Sequence, residues 1–324
     1  MQNLTFNDIN NAQFILYEGN PIIRNPFNSF VVADPSMLTP DESHNGKWQL
    51  FCHTFFGVYR YESENGIDFV PKGKIVSNAM RPDINYIDGR YYLFYERTKS
   101  PVYNALCSLG LKWKSEIYVT ESDDLESWTQ PRLALGKTRD YEEDERARAL
   151  SNPFLISTDK GYRLYYSCGM TYINDCKFCE PTHISYAESK DITDGYVSVE
   201  TPIISPDKNN QYLNLCSGCL KVYKLSDGYI GIQNGIYEID GKSHSAIFLM
   251  TSPDGLEFKF EKMLVEPQVV HGKNWMKQFV YASHLVKCGD TLRLYFNARN
   301  MANPIFGREC IGFAQAKIPN DKQV

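Results

Sequence analysis

The chain has 324 residues, 43% of them hydrophobic and 14% aromatic, with 22 Tyr and 18 Phe and a formal net charge of −5. This aromatic load favours strands over helices, and a negative chain without a long basic block excludes nucleic acid as the main partner. Met1 to Asn20 contains no continuous apolar run of the kind a leader peptide needs, no stretch is apolar over the length of a membrane span, and nine irregularly spaced cysteines predict a reducing, cytoplasmic setting.

In chain order, one unit recurs: a polar residue opens an apolar run, a turn rich in Asp, Asn or Gly follows, and an aromatic-rich alternating strand returns. The first unit runs from Ala33-Asp34-Pro35-Ser36 to Lys47-Trp48-Gln49-Leu50-Phe51, and the second from Arg81-Pro82-Asp83-Ile84 through Asp88-Gly89 to Tyr91-Tyr92-Leu93-Phe94-Tyr95. The third joins Ser151-Asn152-Pro153-Phe154 to Tyr162-Arg163-Leu164-Tyr165-Tyr166, and the fourth joins Ser217-Gly218-Cys219-Leu220 through Asp227-Gly228 to Ile230-Gly231-Ile232. The fifth joins Ser283-His284-Leu285-Val286 through Gly289-Asp290 to Leu292-Arg293-Leu294-Tyr295-Phe296. Each reads as a hairpin, and each is followed by a third strand such as Ile117 to Ser122 or Ile184 to Ser189.

Four units continue to a fourth strand, whereas the last runs out over Lys317 to Val324. Asn20-Pro21-Ile22-Ile23 resembles the fourth strand Thr201-Pro202-Ile203-Ile204, so the N-terminus is expected to complete the last unit. The predicted fold is an all-β, five-bladed β-propeller occupying residues 1–324 as a single domain, its ring closed by the N-terminal strand. An unclosed sandwich is the competing arrangement.

If the first strand of each unit is innermost, antiparallel geometry brings its opening residue, the end of the second strand and the following loop to one face. That face collects Asp34 and His53, then Arg81, Asp83, Glu96 and Arg97, then Asn152 and Ser167, then Ser217, Gln233 and Asn234, then His284, Asn297 and Arg299. The loops after the second strands add Glu180, His183, His244, Arg308 and Glu309. Polar and amide groups around a funnel, with Tyr rings nearby, suit a hydroxyl-rich sugar. Glycoside hydrolysis also needs two flanking carboxyl groups, which Asp34, Asp83, Glu96 and Glu180 can supply.

The run Ala33-Asp34-Pro35-Ser36, the strand pairs flanking Asp-Gly turns, and Ser-x-Asp turns such as Ser122-Asp123-Asp124 resemble glycoside hydrolase family 43 and its five-bladed relatives over most of the chain. The resemblance implies that Asp34 is the general base of an inverting mechanism. It places the family's modulating Asp where this chain has Asn152, and the family's general acid where it has Ser217-Gly218-Cys219. The expected acid is therefore Glu180, in Asp175-Cys176-Lys177-Phe178-Cys179-Glu180-Pro181, on a loop overhanging the pocket, with Glu96 second and Asp83 tuning it. His53, Arg81, Arg97, Asn152, Ser217, Asn234, His284, Arg299 and Arg308 are the expected sugar contacts. The arginines also admit phosphate as the attacking group, a phosphorylase on the same fold, and the missing acids admit a glycan-binding propeller that does not cleave.

Hydrolysis itself requires no cofactor. Cys176-x-x-Cys179 and Cys216-x-x-Cys219 nonetheless have the spacing of zinc knuckles on neighbouring units, and a divalent ion beside His284 at the ring centre is a second candidate. A carbohydrate is the one partner the sequence names; oligomeric state is left open.

Overall fold

A computed structural model describes residues 1–107, 110–303 and 305–319. Residues 320–324, the end of the unit expected to lack a fourth strand, lie outside the described residues. The α-helices among the described residues are α1 (Phe6–Asn10) and α2 (Pro101–Cys107), and nearly everything else regular is antiparallel strand.

The N-terminal strand β1 (Ile15–Leu16) stands apart from the first sheet, which is β2 (Ala33–Leu38), β3 (Trp48–Thr54), β4 (Gly57–Ser63) and β5 (Val70–Ser77) in sequential order. The next antiparallel run is β6 (Ala79–Ile87), β7 (Arg90–Arg97), β8 (Trp113–Ser122) and β9 (Arg132–Leu135). The third is β10 (Ala147–Thr158), β11 (Gly161–Ile173), β12 (Phe178–Ser189) and β13 (Val197–Ser198). These two runs form one eight-stranded sheet, because Ala147–Ala149 of β10 pair in parallel with Trp113–Ser115 of β8. Then follow β14 (Cys216–Lys224), β15 (Tyr229–Ile239), β16 (Lys242–Ser252) and β17 (Lys259–Val265). The last sheet is β18 (Phe279–Cys288), β19 (Thr291–Arg299), β20 (Glu309–Lys317) and, from the other end of the chain, β1.

The pairing of β1 with β20 sets Ile15 opposite Gln315 and Leu16 opposite Ala314, and Ile23 bridges to Ile311 farther along. Between them the buried Asn20 side chain substitutes for a strand backbone: its amide donates to Phe313 O at 2.8 Å and accepts the Phe313 N–H at 3.0 Å. A buried amide that satisfies both backbone groups in this way removes an edge without needing regular pairing.

Every first strand has a β-bulge at the same place. It falls between Ala33 and Ser36, Met80 and Asp83, Ser151 and Phe154, Cys216 and Cys219, and Val280 and Ser283. In three of them the first bulged residue is left-handed and precedes Pro: Asp34 (φ 54°), Arg81 (φ 53°) and Asn152 (φ 48°). This backbone costs a non-glycine residue about 1–2 kcal/mol, so packing on both sides must impose it.

Neighbouring groups are tied together by the turns that end each third strand. Ser122 Oγ accepts the Leu125 N–H at 2.8 Å and Asp124 Oδ1 accepts the Ser127 N–H at 2.7 Å, and Ser63–Asn65 and Ser252–Asp254 build the same turn. A buried tyrosine from the preceding sheet closes on the glycine carbonyl there: Tyr165 OH donates to Gly255 O at 2.6 Å, and Tyr295 OH donates to Gly66 O at 2.8 Å. The second of these joins the last sheet to the first. Tyr295→Phe strands the Gly66 carbonyl and is expected to lower stability by about 1–2 kcal/mol, seen as a reduced urea midpoint at unchanged slope.

Candidate active site

A cavity of about 300 Å³ lies where the bulged ends of the first strands converge. Asp34, Arg81, Asn152, Gly218, Cys219 and Tyr281 line it from the bulges, His53, Asn234, Asn297 and Arg299 from the second strands, and Glu180 and Glu309 from third strands. Phe30, Phe55, Trp113 and Phe178 add apolar faces.

Asp34 is fixed on both sides. Its N–H donates to Asn297 Oδ1 at 3.2 Å, and its Oδ2 lies 3.2 Å from His53 Nδ1. The same His53 nitrogen lies 3.3 Å from the Arg81 backbone nitrogen, so it faces two neighbouring bulges, donating to Asp34 when it carries a proton and accepting the Arg81 N–H when it does not. Arg81 is oriented from behind by Glu96, which is fully buried and also accepts the Trp113 indole N–H at 2.9 Å. Asn297 continues to Glu309 at 3.1 Å, and Arg299 donates to the other Glu309 oxygen at 2.7 Å.

Glu180 reaches the cavity by a different route. Strands β11 and β12 run 13 and 12 residues and extend as a hairpin arm on which Glu180 pairs with Thr171. The arm's tip is latched to β16: Asp175 Oδ2 accepts both the N–H and the hydroxyl of Ser243 at 2.9 Å, and Cys176 Sγ lies 2.9 Å from the same hydroxyl. Glu180 therefore stands on paired backbone rather than on the loop expected from the sequence. The loop shrinks to the turn at 174–177 because the alternating residues on either side continue the ladder.

The two carboxyls are driven in opposite directions. Burial would raise Asp34, but the His53 hydrogen bond and the charges of His53, Arg81 and Lys221 outweigh it, holding its carboxyl below the ordinary range. Burial dominates at Glu180, Arg81 and Arg299 offset it only in part, and Glu309 and Asp34 add to it, so that its carboxyl is pushed up to about 8. At neutral pH Asp34 is thus ionised and Glu180 protonated.

Several expected contacts lie elsewhere. Asp83 is buried outside the cavity, its Oδ2 accepting the Leu155 N–H at 2.9 Å and the Asn85 amide at 2.8 Å, because it follows the bulge and turns inward. Glu96 supports Arg81 rather than facing the cavity. Arg97 packs 4.8 Å over the Tyr118 ring in a separate cleft, since strand alternation points it away from its neighbour Glu96. Ser217 is wholly buried: Gly218 (φ 65°) takes the left-handed position of that bulge, where an added Cβ would stand 2.0 Å from Asn234 O, and no side chain projects there. His284 begins past its bulge and packs between Phe154 and Tyr223, and burial together with Lys221 lowers it to about 3, keeping it neutral. Arg308 is spent on the carbonyls of Ile305 and Gly307.

Among the described residues no three His, Cys, Asp or Glu side chains converge on a point. Cys176 and Cys216 belong to an apolar cluster with Ile173, Ile236 and Phe279, while Cys179 and Cys219 face the cavity, so each pair is split. Beside His284 the buried Lys221 ammonium, 3.1 Å from Pro153 O, opposes a divalent ion. Conversely, Trp113 and Tyr281 line the cavity without having been expected. Tyr281 occupies the bulge of the fifth unit two residues before the run that marks it in sequence, so aligning the bulges rather than the apolar runs finds it.

No family profile matches the sequence, and no curated protein matches it. Solved structures do. One described as a glycoside hydrolase superposes with TM-score 0.67 at 13% identity, covering 97% of this chain and 95% of its own. A structure from the family 130 mannoside phosphorylases, a family containing glycoside hydrolases that target β-1,2 mannosidic linkages in Candida mannan, gives 0.65 at 15% identity over 96% and 95%. An N-acetylgalactosamine deacetylase from F. plautii in complex with blood group B trisaccharide gives 0.68 at 13% identity over 94% and 95%. At these identities the likeness establishes a shared fold, and that fold is one borne by carbohydrate-active proteins of differing chemistry.

The Glu180 environment has a stability consequence. Its carboxyl is neutral in both folded and unfolded chains below about pH 4.5, but between there and about 8 the folded chain keeps a proton that the unfolded chain releases. Stability from this group is therefore present at low pH and lost as pH rises through that window. Glu180→Gln removes the loss, so the variant should match the parent Tm near pH 4 and exceed it by about 2–4 °C at pH 8, read by thermal unfolding across pH.

Proposed function

We propose that this chain is an inverting glycoside hydrolase, with Asp34 as general base and Glu180 as general acid. The observation that carries this reading is the pair of carboxyls on one cavity with their proton affinities driven apart, the arrangement by which acid and base roles are divided at neutral pH. Asp34 takes a proton from a water as that water attacks the anomeric carbon; Glu180 delivers its proton to the glycosidic oxygen as the bond to the leaving group breaks. Tyr281, Trp113 and Phe178 offer ring faces, and Asn152, Asn234 and Asn297 offer amides for sugar hydroxyls.

The fold we infer for this chemistry is a single five-bladed β-propeller over residues 1–324, ring closed, the eight-stranded sheet being two blades joined at their inner ends. The five equivalent bulges, the pairing of β1 with β20 and the Tyr295–Gly66 hydrogen bond support it. The cysteines are all free thiols, which favours a reducing compartment. Among the described residues no helix is long and apolar enough to cross a membrane.

Screening oligosaccharides for new reducing ends is the direct test. Asp34→Asn and Glu180→Gln should each lower kcat by about 10²-fold or more while the fold is retained. The kcat/KM profile should fall above about pH 8 as Glu180 loses its proton, and on the acid side only below the ordinary Asp range. Strict dependence on added phosphate would replace water as the acceptor and make the chain a phosphorylase, and glycan binding without turnover would sink the catalytic assignment.

A further inference from the structure

Beside the cavity that holds Asp34 and Glu180 lies a second one of about 460 Å³. The two share Arg81, Trp113, Phe178 and Cys179 in their walls and so adjoin one another. Two adjoining cavities offer room for more than one sugar unit.

The two halves differ in charge. The first presents three carboxyls, Asp34, Glu180 and Glu309, to Arg81 and Arg299. The second presents Arg81, Arg146 and Lys177 against a single carboxyl, Glu145. Among the described residues neither Arg146 nor Lys177 has a carboxylate within ion-pair distance; the Arg146 guanidinium instead lies 4.7 Å over the Tyr172 ring. The rest of the neighbouring acidic run is already engaged: Glu142 accepts the Tyr166 hydroxyl at 2.6 Å, Glu143 pairs with Lys112 and Lys137, and Asp144 accepts backbone N–H groups from Arg146, Ala147 and Met170. With Arg81 already paired to Glu96, Arg146 and Lys177 are the two cations here without a carboxylate partner among the described residues, in a chain of net charge −5.

We propose that the second cavity is a subsite for an acidic sugar unit, carrying a carboxylate or a sulfate ester, in a substrate of at least two units whose neighbouring unit sits at Asp34 and Glu180. Arg146, held flat on Tyr172, offers a planar fork to the anion, and Lys177 adds a point charge. An acidic unit placed in the first half would face the ionised Asp34, so the charge contrast also sets the direction in which the substrate lies. The inference rests on the glycosidase reading for its second half, the register of the cleaved bond, and is independent of it for the first, the binding of an acidic glycan.

The test is an array of neutral, uronic-acid-containing and sulfate-ester oligosaccharides probed with the full chain and with R146A/K177A, both positions being exposed. Retention on acidic glycans, weakened about tenfold or more both in R146A/K177A and in high salt, is the expected result; whether uronates or sulfate esters are retained identifies the anion. Retention on neutral glycans only, binding unchanged in R146A/K177A, or no retention on any acidic glycan would overturn it. An acidic glycan bound but not cleaved by the parent chain would count against the glycosidase and leave the subsite standing. A neutral oligosaccharide cleaved equally by the parent chain and R146A/K177A would do the reverse.

Discussion

The bulge at the head of each first strand is the constraint on which the site depends. It inserts one extra residue where the innermost strands converge, and it turns that residue's side chain out of the ladder and toward the axis. The residue before a proline is already barred from right-handed helix. At Asp34, Arg81 and Asn152 it is forced further, into left-handed backbone, and the cost is carried by the sheets that fix both flanks. What results is a set of converging side chains whose positions are set by backbone geometry instead of by flexible rotamers.

Among these side chains, charge is distributed so that no group acts alone. His53 touches Asp34 and the Arg81 backbone, Arg81 is braced by Glu96, and Asp34 is linked through Asn297 to Glu309 and Arg299. Cations near Asp34 hold it ionised, and the same pattern leaves Glu180, on its separate arm, with more anion and burial than cation around it. Burial is the main reason Glu180 keeps its proton, and the neighbouring Glu309 and Asp34 carboxyls add to it. Removing Asp34's charge lowers the tendency of Glu180 to hold its proton, so the two roles are coupled.

Much of the strand plan was legible because it is periodic. Alternating aromatic strands, Asp-Gly turns and Ser-x-Asp turns are local signals, and each corresponds to a hydrogen-bonded turn or hairpin in the structure. Asp34, His53, Arg81, Asn152, Asn234 and Arg299 line one cavity for the same reason: they sit at fixed offsets from those hairpins. What was illegible were shifts of one or two residues. At Ser217 a glycine moved the left-handed position along by one, and in the fifth unit the apolar run starts after the bulge, which promoted His284 and hid Tyr281. The cysteine spacing misled because strand alternation divides each pair between core and cavity, a three-dimensional fact that a spacing cannot carry.

The hairpin arm explains how a site can survive the absence of acids at Asn152 and Gly218. Glu180 approaches from strands that outrun their sheet and are latched at Asp175 to Ser243. There burial outweighs the offsetting charges of Arg81 and Arg299, and the proton stays. Extending two strands by a few residues thus brings a second carboxyl to the cavity, and the same extension supplies Phe178 and Cys179, which line both this cavity and the basic one beside it.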